Sequence, residues 1–164
     1  MDLARLGALV LGVTLGFGAV AWAGGVEVRS PVPYASQAEV RQAVRTECQV
    51  GEKLASYLEQ YGDDIELVTG EPESSGRVLH VQITDVFAPG GGVFSGPKWM
   101  QVTGKLEQDG ELVGSFRARR ISSGAFTGFS GTCGILARCA RAIAQDITTW
   151  LAKPSKGALL GDAR

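Results

Sequence analysis

Reactive side chains are scarce in this sequence and far apart. There is one histidine, His80, in an alternating run over residues 77–87. A hydrolytic triad needs a base held near a nucleophile and oriented by an acid. His80 points outward beside Gln82, no Gly-x-Ser-x-Gly elbow occurs, and Asp85 falls on the opposite face of a regular strand. One histidine without paired cysteines or a carboxylate cluster makes a poor metal site, and Asp63-Asp64 reads as a solvated turn. The run 124–132 lacks the lysine of a phosphate-binding P-loop. No catalytic, cofactor or metal residue is therefore assigned. Two enzyme readings stay open as alternatives: a hydrolase using His80, and a thiol oxidoreductase using Cys133, whose place at a helix start would lower its pKa.

Binding chemistry is better supplied. Strand periodicity sets His80, Gln82, Trp99, Gln101, Arg117 and Arg119 on one polar sheet face, a candidate binding surface with a Trp99–Arg119 cation–π pair. Two glycine-rich runs, 88–97 and 122–131, flank the open end of a hairpin, where the last helix also begins. Lys98, Arg120, Gly131 and Thr132 there form a candidate anion site. The plain alternatives are a solvated sheet face and loops that merely turn, with phenylalanines plugging the sheet end.

Three cysteines allow one disulfide and leave one thiol over. Cys133 and Cys139 are six residues apart on one helix, about 9 Å of rise, beyond the Cα separation of roughly 4.4–6.8 Å that a disulfide spans. Any disulfide must therefore join Cys48 to one of them. Cys133 is the choice, because backbone at a helix start can adjust, whereas Cys139 sits inside an apolar stripe and suits a buried thiol. Cys48–Cys139 and no bond at all are the alternatives.

These residues need a scaffold. Runs 98–107 and 111–121 flank Gln108-Asp109-Gly110. A two-residue Asp-Gly turn would pair Val102 with Arg117 and mix the faces. A three-residue loop with Gly110 left-handed pairs Leu106 with Leu112, Val102 with Phe116 and Met100 with Ala118, placing all apolar groups on one side. The second register is expected. Short strands are also expected over 26–29 and 65–68, and a longer one over 77–87 with Leu79, Val81 and Ile83 inward. Ser36-Gln37-Ala38-Glu39 reads as a capping box that starts a helix at Gln37, ended by Gly62. Thr132 would cap the last helix, with stripe Leu136, Cys139, Ile143, Ile147, Trp150 and Leu151, and Pro154 would end it.

At 164 residues the chain is one domain's worth, and its net charge of −1 gives no global field for nucleic acid. Residues 1–23 read as a signal peptide: Arg5, an apolar stretch over 6–20 and Ala21-Trp22-Ala23. Cleavage before Gly24 or before Trp22 is expected, followed by a single domain over 24–154 and a tail, 155–164, that frays. No later stretch is apolar enough to span a membrane. The fold class read from these elements is α+β: a two-layer, mostly antiparallel sheet of four to five strands, with two helices on one face.

The run GGGVFSGPKWMQVTGKLEQDGELVGSFRARR, followed by GTCGILARCARAIAQDITTWLAKP, resembles a group of uncharacterised exported proteobacterial proteins over residues 78–154. That resemblance implies export and no particular activity. The element order also resembles the small α/β modules of envelope proteins such as the TolB N-terminal domain. The expectation is a soluble periplasmic protein that binds an unknown envelope protein or small ligand as an accessory or assembly module. It uses no cofactor, nucleic acid or membrane span. A small anion-binding protein is the third class.

Overall fold

The computed structural model describes residues 25–73, 75–89, 96–122 and 131–164. The expected signal peptide and most of both glycine-rich runs lie outside the described residues. The chain runs β1 (Val26–Arg29), β2 (Tyr34–Glu39), α1 (Gln42–Glu47), α2 (Val50–Tyr61), β3 (Ile65–Val68), β4 (Arg77–Phe87), β5 (Lys98–Gln108), β6 (Glu111–Ser122), α3 (Thr132–Leu151) and β7 (Ala158–Gly161). The described strands form one seven-stranded sheet in the order β3-β1-β4-β5-β6-β7, with β2 also pairing with β4. β4–β5 and β5–β6 are antiparallel; β1–β3, β1–β4, β2–β4 and β6–β7 are parallel. The fold is α+β as expected, but the sheet is mixed and has more strands than four to five.

α2 and α3 form the second layer. Alternation along the strands directs Val26, Val28, Leu79, Val81, Ile83, Met100, Val102, Leu106, Phe116 and Ala118 into one core with Leu54, Ala55, Leu58, Leu136, Ile143 and Ile147 of the helices. Burial of this kind is worth about 25 cal/mol per Å² of apolar surface, the main force holding the helices to the sheet. The Phe116 ring meets Trp150 edge-on at 4.9 Å. It lies where a side chain at Gly104 would be: a Cβ there would come within 2.3 Å of the ring.

The hairpin register differs from expectation. The loop is a two-residue turn: Asp109 (φ 49°) and Gly110 (φ 81°) are both left-handed, and Gln108 pairs with Glu111. The ladder then skips Val113, so that Glu107 faces Leu112 but Leu106 faces Gly114. From there Gly104 faces Phe116, Val102 faces Ala118 and Met100 faces Arg120. The expected pairing is thus off by two residues. Because strand faces repeat every two residues, a shift of two leaves every face assignment intact. Gly110 is left-handed as expected, and Val102 and Phe116 are both buried, although they do not pair.

Residues 34–39 are strand β2 and not the first turn of a helix. The Ser36 hydroxyl donates to the Gln37 side chain, and pairing at Tyr34–Ile83 and Glu39–Asp85 holds the segment extended. The helix starts at Gln42 instead and breaks at Gln49, which is left-handed (φ 47°), before α2 resumes. Gly62 ends α2 with extended backbone, not the left-handed form (φ −109°). Gly131 occupies the N-cap of α3 with no side-chain cap, and Thr132 is its first residue. The tail expected to fray instead forms β7 beside β6. It is fastened where the Ile121 N–H donates to Asp162 (2.9 Å) and the Asp162 N–H to the Arg119 carbonyl (2.8 Å).

The disulfide is Cys48–Cys133, with a Cα separation of 4.8 Å; Cys139 is free and buried. Cys48 lies at the break between α1 and α2, and Cys133 in the first turn of α3. Both ends of the bridge therefore sit where helical backbone is least constrained.

Candidate functional site

The helices leave the other sheet face open. Its side chains stand in cross-strand rows: His80–Lys105–Ser115, then Gln82–Thr103–Arg117–Leu159, then Asp85–Gln101–Arg119, then Phe87–Trp99–Ile121. The six residues expected on a binding face therefore share one face. Trp99 faces Ile121 across the ladder, not Arg119, yet the Arg119 guanidinium still stacks 4.0 Å from the Trp99 ring centroid. On its other flank Trp99 stacks with Phe87, with centroids 5.9 Å apart and planes 16° from parallel.

Phe87 and Ile121 are exposed to 48% and 46%, and Leu159 to 56%. Sequence reasoning missed Phe87 because strict alternation from Leu79 sends it to the covered face. Thr84 is a bulge: Ile83 pairs with Val102, but Asp85 pairs with Gln101, so the strand changes phase between them. The Thr84 hydroxyl donates to the Gln101 carbonyl (3.2 Å), fixing the bulge to β5. The same bulge corrects the position of Asp85. Expected opposite to His80, it shares the face with it, two rows away.

Burial raises the Asp85 carboxyl above its ordinary value; Glu39, its partner on β2, adds to this, while the Val86 N–H and Arg119 oppose it. His80 lies 3.6 Å from Glu107, beyond hydrogen-bond range, with both side chains partly in water. A groove of about 520 Å³ runs over Gly104, lined by His80, Gln82, Thr103, Lys105, Glu107 and Ser115. It offers hydrogen-bonding groups in a shallow, solvated setting rather than a base aligned on a nucleophile.

The expected anion residues are otherwise engaged. Lys98 is fully buried, and Arg120 grips Asp146 through two hydrogen bonds of 2.7 and 2.6 Å. That grip, with Asp162 nearby, raises the Arg120 pKa further. Gly131 and Thr132 stand at the start of α3 as expected. Cys133 is bonded to Cys48, and burial pushes the Cys139 thiol up to about 11, so it stays protonated at neutral pH. Among the described residues no three His, Cys, Asp or Glu side chains cluster to hold a metal ion, and no helix is long and apolar enough to cross a membrane.

No family model matches the chain, and no curated protein matches it. It is similar to the crystal structure of an uncharacterized protein, with a TM-score of 0.51 and 16% identity over 78% of this chain and 80% of that one. It is also similar to a PelC dodecamer from Paraburkholderia phytofirmans, with a TM-score of 0.49 and 16% identity over 77% of this chain and 87% of that one. At such identity the first likeness shows the fold alone.

Proposed function

We propose that the protein is an exported periplasmic module that works by binding, as an accessory or assembly component of the envelope, and that the open sheet face is its binding surface. The observation that carries this reading is the Phe87–Trp99–Arg119 stack, displayed beside exposed Ile121 and next to rows of hydrogen-bonding side chains. Aromatic and arginine side chains dominate binding energy at protein interfaces, and here none of them is needed to fill the core. The Cys48–Cys133 bridge fits an oxidising compartment. The signal-like N-terminus and the resemblance to exported proteobacterial proteins support the periplasm in particular.

Co-purification from native envelope at low salt tests the binding face. A partner retained by wild type should be lost in Trp99→Ala/Arg119→Ala and kept in Glu59→Ala/Arg141→Ala, a change of exposed helix residues on the other side. Equal retention by both variants removes the open face from the proposal. Mass spectrometry of the secreted chain should begin at Gly24 or Trp22; intact Met1 in a cytoplasmic pool removes export.

A further inference from the structure

The two edges of the sheet carry opposite charge. Among the described residues β3 has one strand neighbour, β1, and β7 has one, β6, so each presents an edge four residues long that no described strand covers. Around β3 the sequence from Asp63 to Gly76 contains five acids and no basic residue, all five exposed: Asp63, Asp64, Glu66, Glu71 and Glu73. Arg29 pairs with Glu71, and Arg77 lines a shallow pocket with Asp63 and Asp64, so the edge stays net acidic. Leading into β7, residues 152–157 carry exposed Lys153 and Lys156 and no acid, while Asp162, just after the strand, accepts from the Ile121 N–H of β6. β7 itself reads Ala-Leu-Leu-Gly, with Leu159 more than half exposed. An edge this apolar, without a charge of its own, is a template for another strand.

We infer that β7 of one copy pairs with β3 of the next, extending the sheet head to tail through a second copy of this chain. Strand direction permits it. β3 runs parallel to β1 and β4, and β7 to β6, which two antiparallel steps return to the direction of β4. The two edges therefore point the same way and meet as a parallel pair, with the helix layers on the same side. Matching the two strands end to end sets Asp63 and Asp64, just ahead of β3, beside Lys156, just ahead of β7.

Charge chooses this arrangement over its rivals. A two-fold contact pairs like edges antiparallel: β3–β3 gathers the five exposed acids of each copy with no lysine among them, and β7–β7 sets Lys156 near residue 163 of the other copy and leaves the acidic edge of β3 uncovered, whereas head-to-tail contact joins the acidic edge to the basic one. Head-to-tail contact is also open-ended. β3 begins level with Arg77 on β4 and β7 level with Val81, so each added copy steps about 13 Å along the strand direction.

Sedimentation of the oxidised chain, from about 10 μM to about 1 mM, tests this. The weight-average mass should climb past that of a dimer, and the climb should weaken between about 0.05 and 0.5 M salt as the edge charges are screened. Asp63→Lys/Asp64→Lys and Lys153→Glu/Lys156→Glu should each weaken self-association by about tenfold or more. Mixed in equal amounts, the two variants should regain it, because each reversed edge then meets its complement. All four positions are exposed, and circular dichroism should show both variants folded. A chain that stays monomeric at about 1 mM, a mass that stops at a dimer, a charge variant that associates like wild type, or a mixture that gains nothing would each overturn the inference.

Discussion

Along β5, Val102 and Thr103 are neighbours in sequence and meet opposite conditions. Val102 is fully buried beneath the helices, whereas Thr103 stands on the open face between Gln82 and Arg117. The same division runs through β4 and β6. On the covered face shape is constrained to within an atom: Gly104 has no room for a methyl group beneath Phe116, nor Gly114 beneath Trp150. On the open face the exposed ring of Phe87 and the half-buried ring of Trp99 stack without joining the core. The difference teaches that one sheet separates two duties. Stability depends on the buried even-numbered positions of β5, and the odd-numbered ones are free of core packing, as the proposed binding face requires.

The largest test of that division is the bridge inside the helix layer. Cys48→Ser/Cys133→Ser removes a cross-link with a separation of 85 residues, and urea unfolding should show a loss of about 4–5 kcal/mol by chain entropy. Gly104→Ala comes next: its new Cβ drives against the Phe116 ring and should cost about 1–3 kcal/mol, while Thr103→Ala, one residue away, should stay within about 0.5 kcal/mol. Equal costs at 103 and 104 would abolish the comparison. At the hairpin tip Gly110→Val should cost on the order of 1–2 kcal/mol, since a β-branched residue is strained at φ 81°.

The smallest effect concerns Asp85, the open-face carboxyl raised by burial and then by Glu39. A carboxyl whose pKa is higher in the folded state binds its proton more tightly there. Stability therefore falls as pH rises through the window between the unfolded and folded pKa values. Asp85→Asn should accordingly melt slightly above wild type near neutral pH, and the gap should close once the pH drops below the ordinary aspartate range. A gap that widens in acid would mean that Arg119, and not burial, governs the site.

Much of this was legible in the sequence, for identifiable reasons. Alternation of apolar groups is local, so the faces of β5, β6 and β4 as far as Ile83 could be read, as could the stripe of α3. Helix rise excluded a Cys133–Cys139 bond, and the choice of Cys133 over Cys139 followed from its place near the helix end. What escaped reading depends on contacts distant in the chain. The Ser36–Glu39 signature suits a helix cap until Pro33 and Ile83 hold that stretch against β4. The four residues of β7 carry no period of their own and are strand only because β6 lies beside them. The bulge at Thr84 is invisible in composition, and with it went Phe87, half of the candidate site's aromatic stack.

The skipped residue in the hairpin has a consequence for how such a chain can change over generations. Val113 has no partner in the β5–β6 ladder: Leu112 faces Glu107, Gly114 faces Leu106, and the tight turn lies outside them. Excising Val113 would leave the turn and every pair beyond it as they are, closing the ladder into an uninterrupted one. Length can therefore vary by one here without turning the buried side chains outward, whereas a single deletion at Ala118 would reverse the end of the strand. Relatives of this chain that differ by one residue in the hairpin are expected to carry the gap at position 112 or 113, and a Val113 deletion should express and fold.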